Sequence, residues 1–248
     1  MTAAPGAAAS VAAAPWGADD PYADALRTGR GPLFLRRGDG WLLPLEVERW
    51  CAAADAVDLA VLERCEGAVL DVGCGPGRLV AALAARGRPA LGIDVSEAAV
   101  RHTVRRGGQA LCRSVFERVP GEGRWDTLLL MDGNIGIGGD PRELLLRLAR
   151  LTAAGGLLVV ETAPFDIDER IRVQVVHSGG PDGPAGSPFP WARLGTPALL
   201  RYARSTGWRT VGQWAEGGRC FAALRSRATG TAAEPGHGRA VISSQRAR

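Results

Sequence analysis

From residue 66 to residue 226 the chain alternates between two hydrophobic patterns. Short continuous apolar runs, such as Ala68-Val69-Leu70 before Asp71 and Ala90-Leu91-Gly92-Ile93 before Asp94, have the length and character of strands buried on both faces. Between them, apolar residues recur at helical spacing: Leu79 to Arg86, the stretch after Ser96, and Leu144, Leu145, Leu148 and Leu151. Further strands are expected over 109–116, 125–132 and 157–161. Thr196-Pro197 opens another helix, and 208–215 and 219–225 form a closing hairpin around Glu216-Gly217-Gly218. Strands and helices in strict alternation predict α/β architecture. We expect a seven-stranded doubly wound sheet, mostly parallel with the last strand antiparallel, and helices on both faces.

Helix boundaries are written locally. Gly87 stops the first helix, Ser96 caps the next with Glu97 at its positive end, and Asp140-Pro141 with Glu143 starts the third. Leu45 to Cys65 carries apolar residues at helical spacing and predicts a helix packed on the sheet ahead of the first strand. These signals divide the chain into a disordered tail at 1–19, a single domain at 20–226 and a second disordered tail at 227–248. Within the domain, 20–66 is a helical cover and 162–195 a substrate-side insertion, irregular except for one strand over 171–176. Tyr22, Phe34, Arg36, Arg37 and Trp41 in the cover are candidates for a lid, with ordinary surface packing as the alternative.

The chemistry is concentrated where the first strand ends. Asp71-Val72-Gly73-Cys74-Gly75-Pro76-Gly77 is a glycine-punctuated turn, and glycine there admits positive φ and lets a ligand lie close to the backbone. A dinucleotide fingerprint wants a third glycine where this chain has Arg78, and a phosphate loop wants a lysine, which the chain lacks entirely. Asp94 ends the next strand 21 residues after Gly73, placed to accept hydrogen bonds from ribose hydroxyls; the plain alternative is an acid that merely ends a strand. Asp132-Gly133-Asn134 opens a second glycine-rich turn at the same end of the sheet, and two such turns suggest a crevice roofed by backbone.

The acid-x-Gly-x-Gly-x-Gly motif, the acid after the second strand and the terminal helix and hairpin resemble the class I methyltransferases that use S-adenosylmethionine. The resemblance spans 66–226. It implies that Asp71, Gly73, Gly75 and Gly77 form the pocket for the methionine end of S-adenosyl-L-methionine, that Asp94 holds the ribose, that Asp132, Gly133 and Asn134 line the cofactor beside the acceptor, and that Cys74, Pro76 and Val95 are also cofactor-binding. Many relatives carry an acid after the third strand that reaches the adenine amino group. Here Arg113 and Ser114 stand instead, leaving backbone near Ser114 and Val115 for the base, with Phe116 as an apolar wall.

Composition narrows the partners. Thirty basic residues, all arginine, against 26 acidic ones give a net charge of +4, scattered along the chain. With so much Ala and Gly, the uniform arginine reads as coding bias, so a nucleic-acid substrate is not expected. Five widely spaced cysteines form no metal-ligand or redox pattern; they read as reduced thiols in a cytoplasmic protein, with Cys74 a small turn residue rather than a nucleophile. No run reaches membrane-spanning length, and no metal is expected.

Methyl transfer needs alignment, exclusion of water and, for some acceptors, a base. Among the three histidines, His177 at the end of the strand in the insertion is the candidate catalytic base, against the plain alternative of a surface histidine; Asp166 and Glu161 are weaker candidates. The place after the fourth strand reads Asp132-Gly133-Asn134-Ile135 rather than Asn/Asp-Pro-Pro-aromatic, which disfavours adenine or glutamine nitrogen as acceptor. A small-molecule acceptor on oxygen, nitrogen or carbon is expected. An inactive S-adenosylmethionine-binding protein of the same fold, or an NAD-dependent oxidoreductase, are the alternatives.

Overall fold

A computed structural model describes residues 20–177 and 186–227. The expected tails, apart from Arg227, and the Gly179–Pro184 part of the insertion lie outside the described residues. In chain order the elements are α1 (Pro21–Thr28), β1 (Leu33–Arg37), β2 (Leu42–Leu45), α2 (Val47–Cys51), α3 (Ala56–Glu63), β3 (Val69–Val72), α4 (Arg78–Ala84), β4 (Ala90–Asp94), α5 (Glu97–Arg105), β5 (Ala110–Cys112) and β6 (Trp125–Leu130). A 3-10 turn at Asn134–Gly136 follows, then α6 (Pro141–Leu151), β7 (Thr152–Thr162), β8 (Asp168–Val176), β9 (Phe189–Leu194), α7 (Thr196–Ser205), β10 (Trp208–Glu216) and β11 (Arg219–Ser226).

The main sheet has the order β10-β11-β7-β6-β3-β4-β5. Strands β3 to β7 pair in parallel, while β11 runs antiparallel between β7 and β10. The expected seven-stranded sheet is therefore present, with its last strand inserted antiparallel. One face buries Leu144, Leu145, Leu148 and Leu151 of α6 with Ala198, Leu199 and Ala203 of α7. The other buries Val61 and Leu62 of α3 with Leu79 and Leu83 of α4. Each fully buried Leu of this kind contributes roughly 1.5–3 kcal/mol relative to exposure. Order reverses at β3, whose neighbours are β4 and β6, so the crevice of this sheet lies above the carboxyl ends of these strands.

The cover and the insertion differ from expectation. Four strands in the order β2-β1-β8-β9 form a second, antiparallel sheet, in which β1 pairs with β8 from Phe34↔Val176 to Arg37↔Val173. The 20–66 segment is thus part helix and part hairpin, and the insertion contributes two strands instead of one. Leu33 and Leu35 alternate inward in β1, but the strand has only five residues, two of them Arg, and Pro44 interrupts β2. The β1–β2 hairpin is extended into a sheet by β8, more than 130 residues away in sequence, so no local window carries the whole signal. Pro44 is tolerated because β2 is an edge strand. A third core, with Tyr22, Leu26, Leu33, Leu35, Val47 and Val173, packs this sheet and α1 onto Ala99 of α5.

The single helix expected over 45–65 is broken. α2 ends at Cys51 and Ala52 is extended, with ψ of 178°. Asp55 then opens α3 with a reciprocal cap to Asp58. Alanines fit the helical pattern on either side, but a good N-cap in mid-run favours a new start over continuation. Another boundary moves: α6 ends at Leu151 and β7 begins at once with Thr152, five residues ahead of the strand expected over 157–161.

Candidate active site

The first glycine turn depends on backbone conformations that favour glycine. Gly73, Gly75 and Gly77 all have positive φ, at 72°, 53° and 80°. A β-carbon on Gly77 would lie 2.3 Å from Thr103 Oγ1, and one on Gly73 2.6 Å from Asn134 Nδ2. Thr103 Oγ1 donates to Gly75 O at 3.0 Å, pinning the turn to α5. The second turn clasps the first: Asn134 Nδ2 donates to Val72 O and Gly73 O at 3.0 and 2.8 Å.

A cavity of about 300 Å³ opens over this junction. Of the residues predicted from sequence, Gly73, Cys74, Gly75, Pro76, Asp94, Val95, Ser114, Val115, Asp132 and Asn134 line it. Asp94 is fixed by its neighbours: Oδ2 accepts from Gly75 N and Oδ1 from Ser96 N, both at 2.9 Å. Burial raises its pKa above the ordinary carboxylate value. Phe116 and Arg113 complete the wall. The Ser114 N–H already donates to the Glu117 carboxylate at 3.1 Å.

Asp71 and Gly77 lie in the turn but do not line the cavity, and Gly133 lines a neighbouring one. Asp71 is buried below the turn, its Oδ2 without a hydrogen-bond partner. Burial pushes its pKa up to about 7. Burial also raises the Cys74 thiol well above its usual range, as befits a packing residue. His177 lines neither cavity. It stands at the end of β8 with Nε2 4.0 Å from Asp24 of α1, so the structure does not bring it to the glycine turns. Asp166 is exposed, and Glu161 is bonded to Arg219.

Local patterning passed over Leu35, Trp50, Ile137, Gly138, Phe189, Pro190 and Trp191, which complete the cavity from α2, the second turn and the antiparallel sheet. Tyr22 also reaches it, the one lid candidate of the five to do so; a β-carbon on Gly75 would meet its hydroxyl at 3.2 Å. The proline–aromatic run 188–191 was a visible signal for the others. An isolated bridge between Ile137 and Trp191 joins β9 to the second turn.

A second cavity, of about 430 Å³, adjoins the first and shares Leu35, Leu45, Trp50, Asp132 and Trp191 with it. Arg49, Asp132, Glu161 and Arg219 in its wall belong to a network of paired charges that continues to Arg78 and Asp58. Arg78, which is 4% exposed, bonds Asp58 through Nε at 2.7 Å and Asp132 through Nη1 at 2.7 Å. Arg219 bonds Asp58 at 2.9 Å and Glu161 at 2.7 Å, and Arg49 reaches Asp132 from α2. Burial alone would raise the Asp132 pKa, but Arg78 and Arg49 outweigh it and hold the carboxyl below its usual value. Asp132 is also the only described non-glycine residue with positive φ, at 54°. Among the described residues no group of His, Cys, Asp and Glu could hold a metal ion, and no helix is long and apolar enough to cross a membrane.

Residues 69–156, which hold both glycine turns and β3 to β6, match the model of a methyltransferase domain family. This chain carries a class I S-adenosylmethionine-dependent methyltransferase domain. The fold of this methyltransferase is similar to that of an S-adenosylmethionine-dependent methyltransferase from Bacteroides fragilis in complex with S-adenosyl-L-homocysteine, at a TM-score of 0.67 and 21% identity over 83% of this chain and 92% of that one. It is also similar to the CcbJ methyltransferase from Streptomyces caelestis (TM-score 0.57, 17% identity, 87% and 100% covered). A third similar fold is the sugar N-methyltransferase KedS8 from Streptoalloteichus sp. (TM-score 0.52, 18% identity, 72% and 88% covered). A search of curated proteins found no match.

Proposed function

We propose that this methyltransferase transfers a methyl group to a small-molecule acceptor held in the second cavity, with S-adenosylmethionine in the first. The observation that carries this reading is the shared wall: Trp50, Asp132 and Trp191 border both cavities, so ligands in the two would meet there. The KedS8 sugar N-methyltransferase and the glycopeptide N-methyltransferase MtfA, which have the same fold, are named for acceptors of this general class.

The residues fit the cofactor. Gly73 and Gly75 give a cradle without side chains, and each Asp94 oxygen, already holding one backbone N–H, retains a lone pair for a ribose hydroxyl. Val95 and Phe116 supply apolar walls on the ribose and base side, with Ser114 and Val115 beside them. S-adenosylmethionine, when bound, supplies the electrophilic methyl group. The chain's own tasks are to orient the acceptor and exclude water. Asp132 orients rather than deprotonates, because the arginines around it favour its charged form and leave it a weak base. Tyr22 and Trp50, edge to face with centroids 6.3 Å apart, close the cofactor side from above.

Calorimetry with S-adenosyl-L-homocysteine tests the cofactor site, and binding at micromolar concentration is expected. Absence of binding overturns the reading. Transfer of a labelled methyl group into the low-molecular-weight fraction of a cell extract tests the acceptor class; label appearing only in protein or nucleic acid would contradict it.

A further inference from the structure

The second cavity has one wall that the methyl-transfer reading leaves unexplained. Phe165, in the loop after β7, is 51% exposed and lines the cavity. Arg193 of β9 lies with its guanidinium carbon 5.4 Å from the Phe165 ring centre and 4.7 Å from that of Trp41. The three make a ladder, Trp41–Arg193–Phe165, with Phe165 at its open end. An aromatic ring stiffened on one side by a cation and exposed elsewhere is a stacking platform.

The charges around this platform are already matched. Three arginines and three acids line the cavity, and every arginine has a carboxylate partner: Arg49 with Glu46 and Asp132, Arg219 with Glu161, Arg193 with Glu169. A ligand bearing its own net charge would enter beside balanced pairs, losing hydration without gaining a counter-ion.

We propose that the second cavity selects a planar, uncharged ring system as methyl acceptor, stacked on Phe165. This rests on the reading of the second cavity as the acceptor site. Binding of three probes near neutral pH tests it by calorimetry: naphthol (planar, uncharged), naphthoate (planar, anionic) and decahydronaphthol (uncharged, not planar). Each is titrated into the protein with and without saturating S-adenosyl-L-homocysteine. Naphthol should bind roughly three- to tenfold more tightly than either other probe, the range that one aromatic stacking contact supplies. Phe165→Ala, at an exposed position, should remove that preference while leaving S-adenosyl-L-homocysteine affinity unchanged, and Phe165→Tyr should keep it. Equal binding of decahydronaphthol, tighter binding of naphthoate, or a preference that survives Phe165→Ala overturns the proposal. Loss of S-adenosyl-L-homocysteine binding in the unmodified protein would instead overturn the cofactor reading, and the probe ratios measured without it still decide this one.

Discussion

Arg78, which lines the first cavity, and Asp132, which lines both, are joined at 2.7 Å, tying the helix after the first glycine turn to the start of the second turn. The pair explains why a bulky charge can stand where dinucleotide folds place glycine. Arg78 does not obstruct the turn; it is buried and holds Asp132 and Asp58 in place. Replacing it with Met leaves two buried carboxylates partly uncompensated. Breaking such pairs costs about 3–5 kcal/mol, and the lower end is expected because Arg219 and Arg49 still reach the same acids. Urea denaturation gives the value. In a double-mutant cycle, Arg78→Met with Asp58→Asn should lose less than the sum of the two single changes.

Gly77 should tolerate no side chain. Ala there takes a left-handed conformation costing about 1–2 kcal/mol and also meets Thr103 Oγ1 at 2.3 Å. Gly77→Ala is expected to lower the thermal midpoint and to weaken S-adenosyl-L-homocysteine binding together. Pairing it with Thr103→Ala should recover little of the loss, since the Thr103 β-carbon still lies 2.6 Å away and the bond to Gly75 O is given up.

Asp71 makes stability depend on pH in an unusual direction. Its pKa is raised to about 7 by burial, and that of Asp20, also by burial, to about 6. A carboxyl with a raised folded-state pKa binds its proton more tightly in the native state. Its stabilisation is complete below the ordinary value of 3.8 and is lost as pH rises toward 7. Asp71→Asn should therefore flatten the fall in stability between these limits, each such group contributing at most about 1.4 kcal/mol per pH unit. Chemical denaturation of both proteins across that range measures the difference; parallel profiles would contradict it.

His177→Ala should leave the rate of methyl transfer unchanged, because the imidazole lines neither cavity and faces Asp24. A large fall in kcat with intact cofactor binding would return His177 to the reaction.

Thiol labelling should separate the cysteines. Cys112 is exposed, whereas Cys65 and Cys74 are buried and burial drives both pKa values up, Cys65 to about 12. Iodoacetamide at mildly alkaline pH should modify Cys112 rapidly in the native protein and the other two only after unfolding, as peptide mass spectrometry would show. Labelling of Cys74 in the native state would place it in a more open turn.

Legibility followed the range of the interactions. β3 with its turn, β4 with Asp94 and α6 with Asp140 were readable because their signals sit within a few residues of each other. The broken helix at Ala52 was missed because three alanines suit a helix as well as a loop, and only the cap at Asp55 decides between them. Most of the turn residues that line the first cavity could be named from local sequence, although Asp71, Gly77 and Gly133 lie outside it. Of its roof only Tyr22 could be named, as one lid candidate among five, because Trp50 and Trp191 come from distant segments with no shared motif.

By itself, the sequence determined the seven-stranded sheet and the acid–glycine turn of 71–77, through hydrophobic period and glycine conformation, which are local properties. Tertiary structure alone decided that β1 and β8 would pair into a second sheet, that Arg78 would lock the two turns together, and that a second cavity would lie beside the first one. Each of those depends on contacts between residues far apart in the chain, where strand pairing and charge burial are settled by what the whole fold brings together.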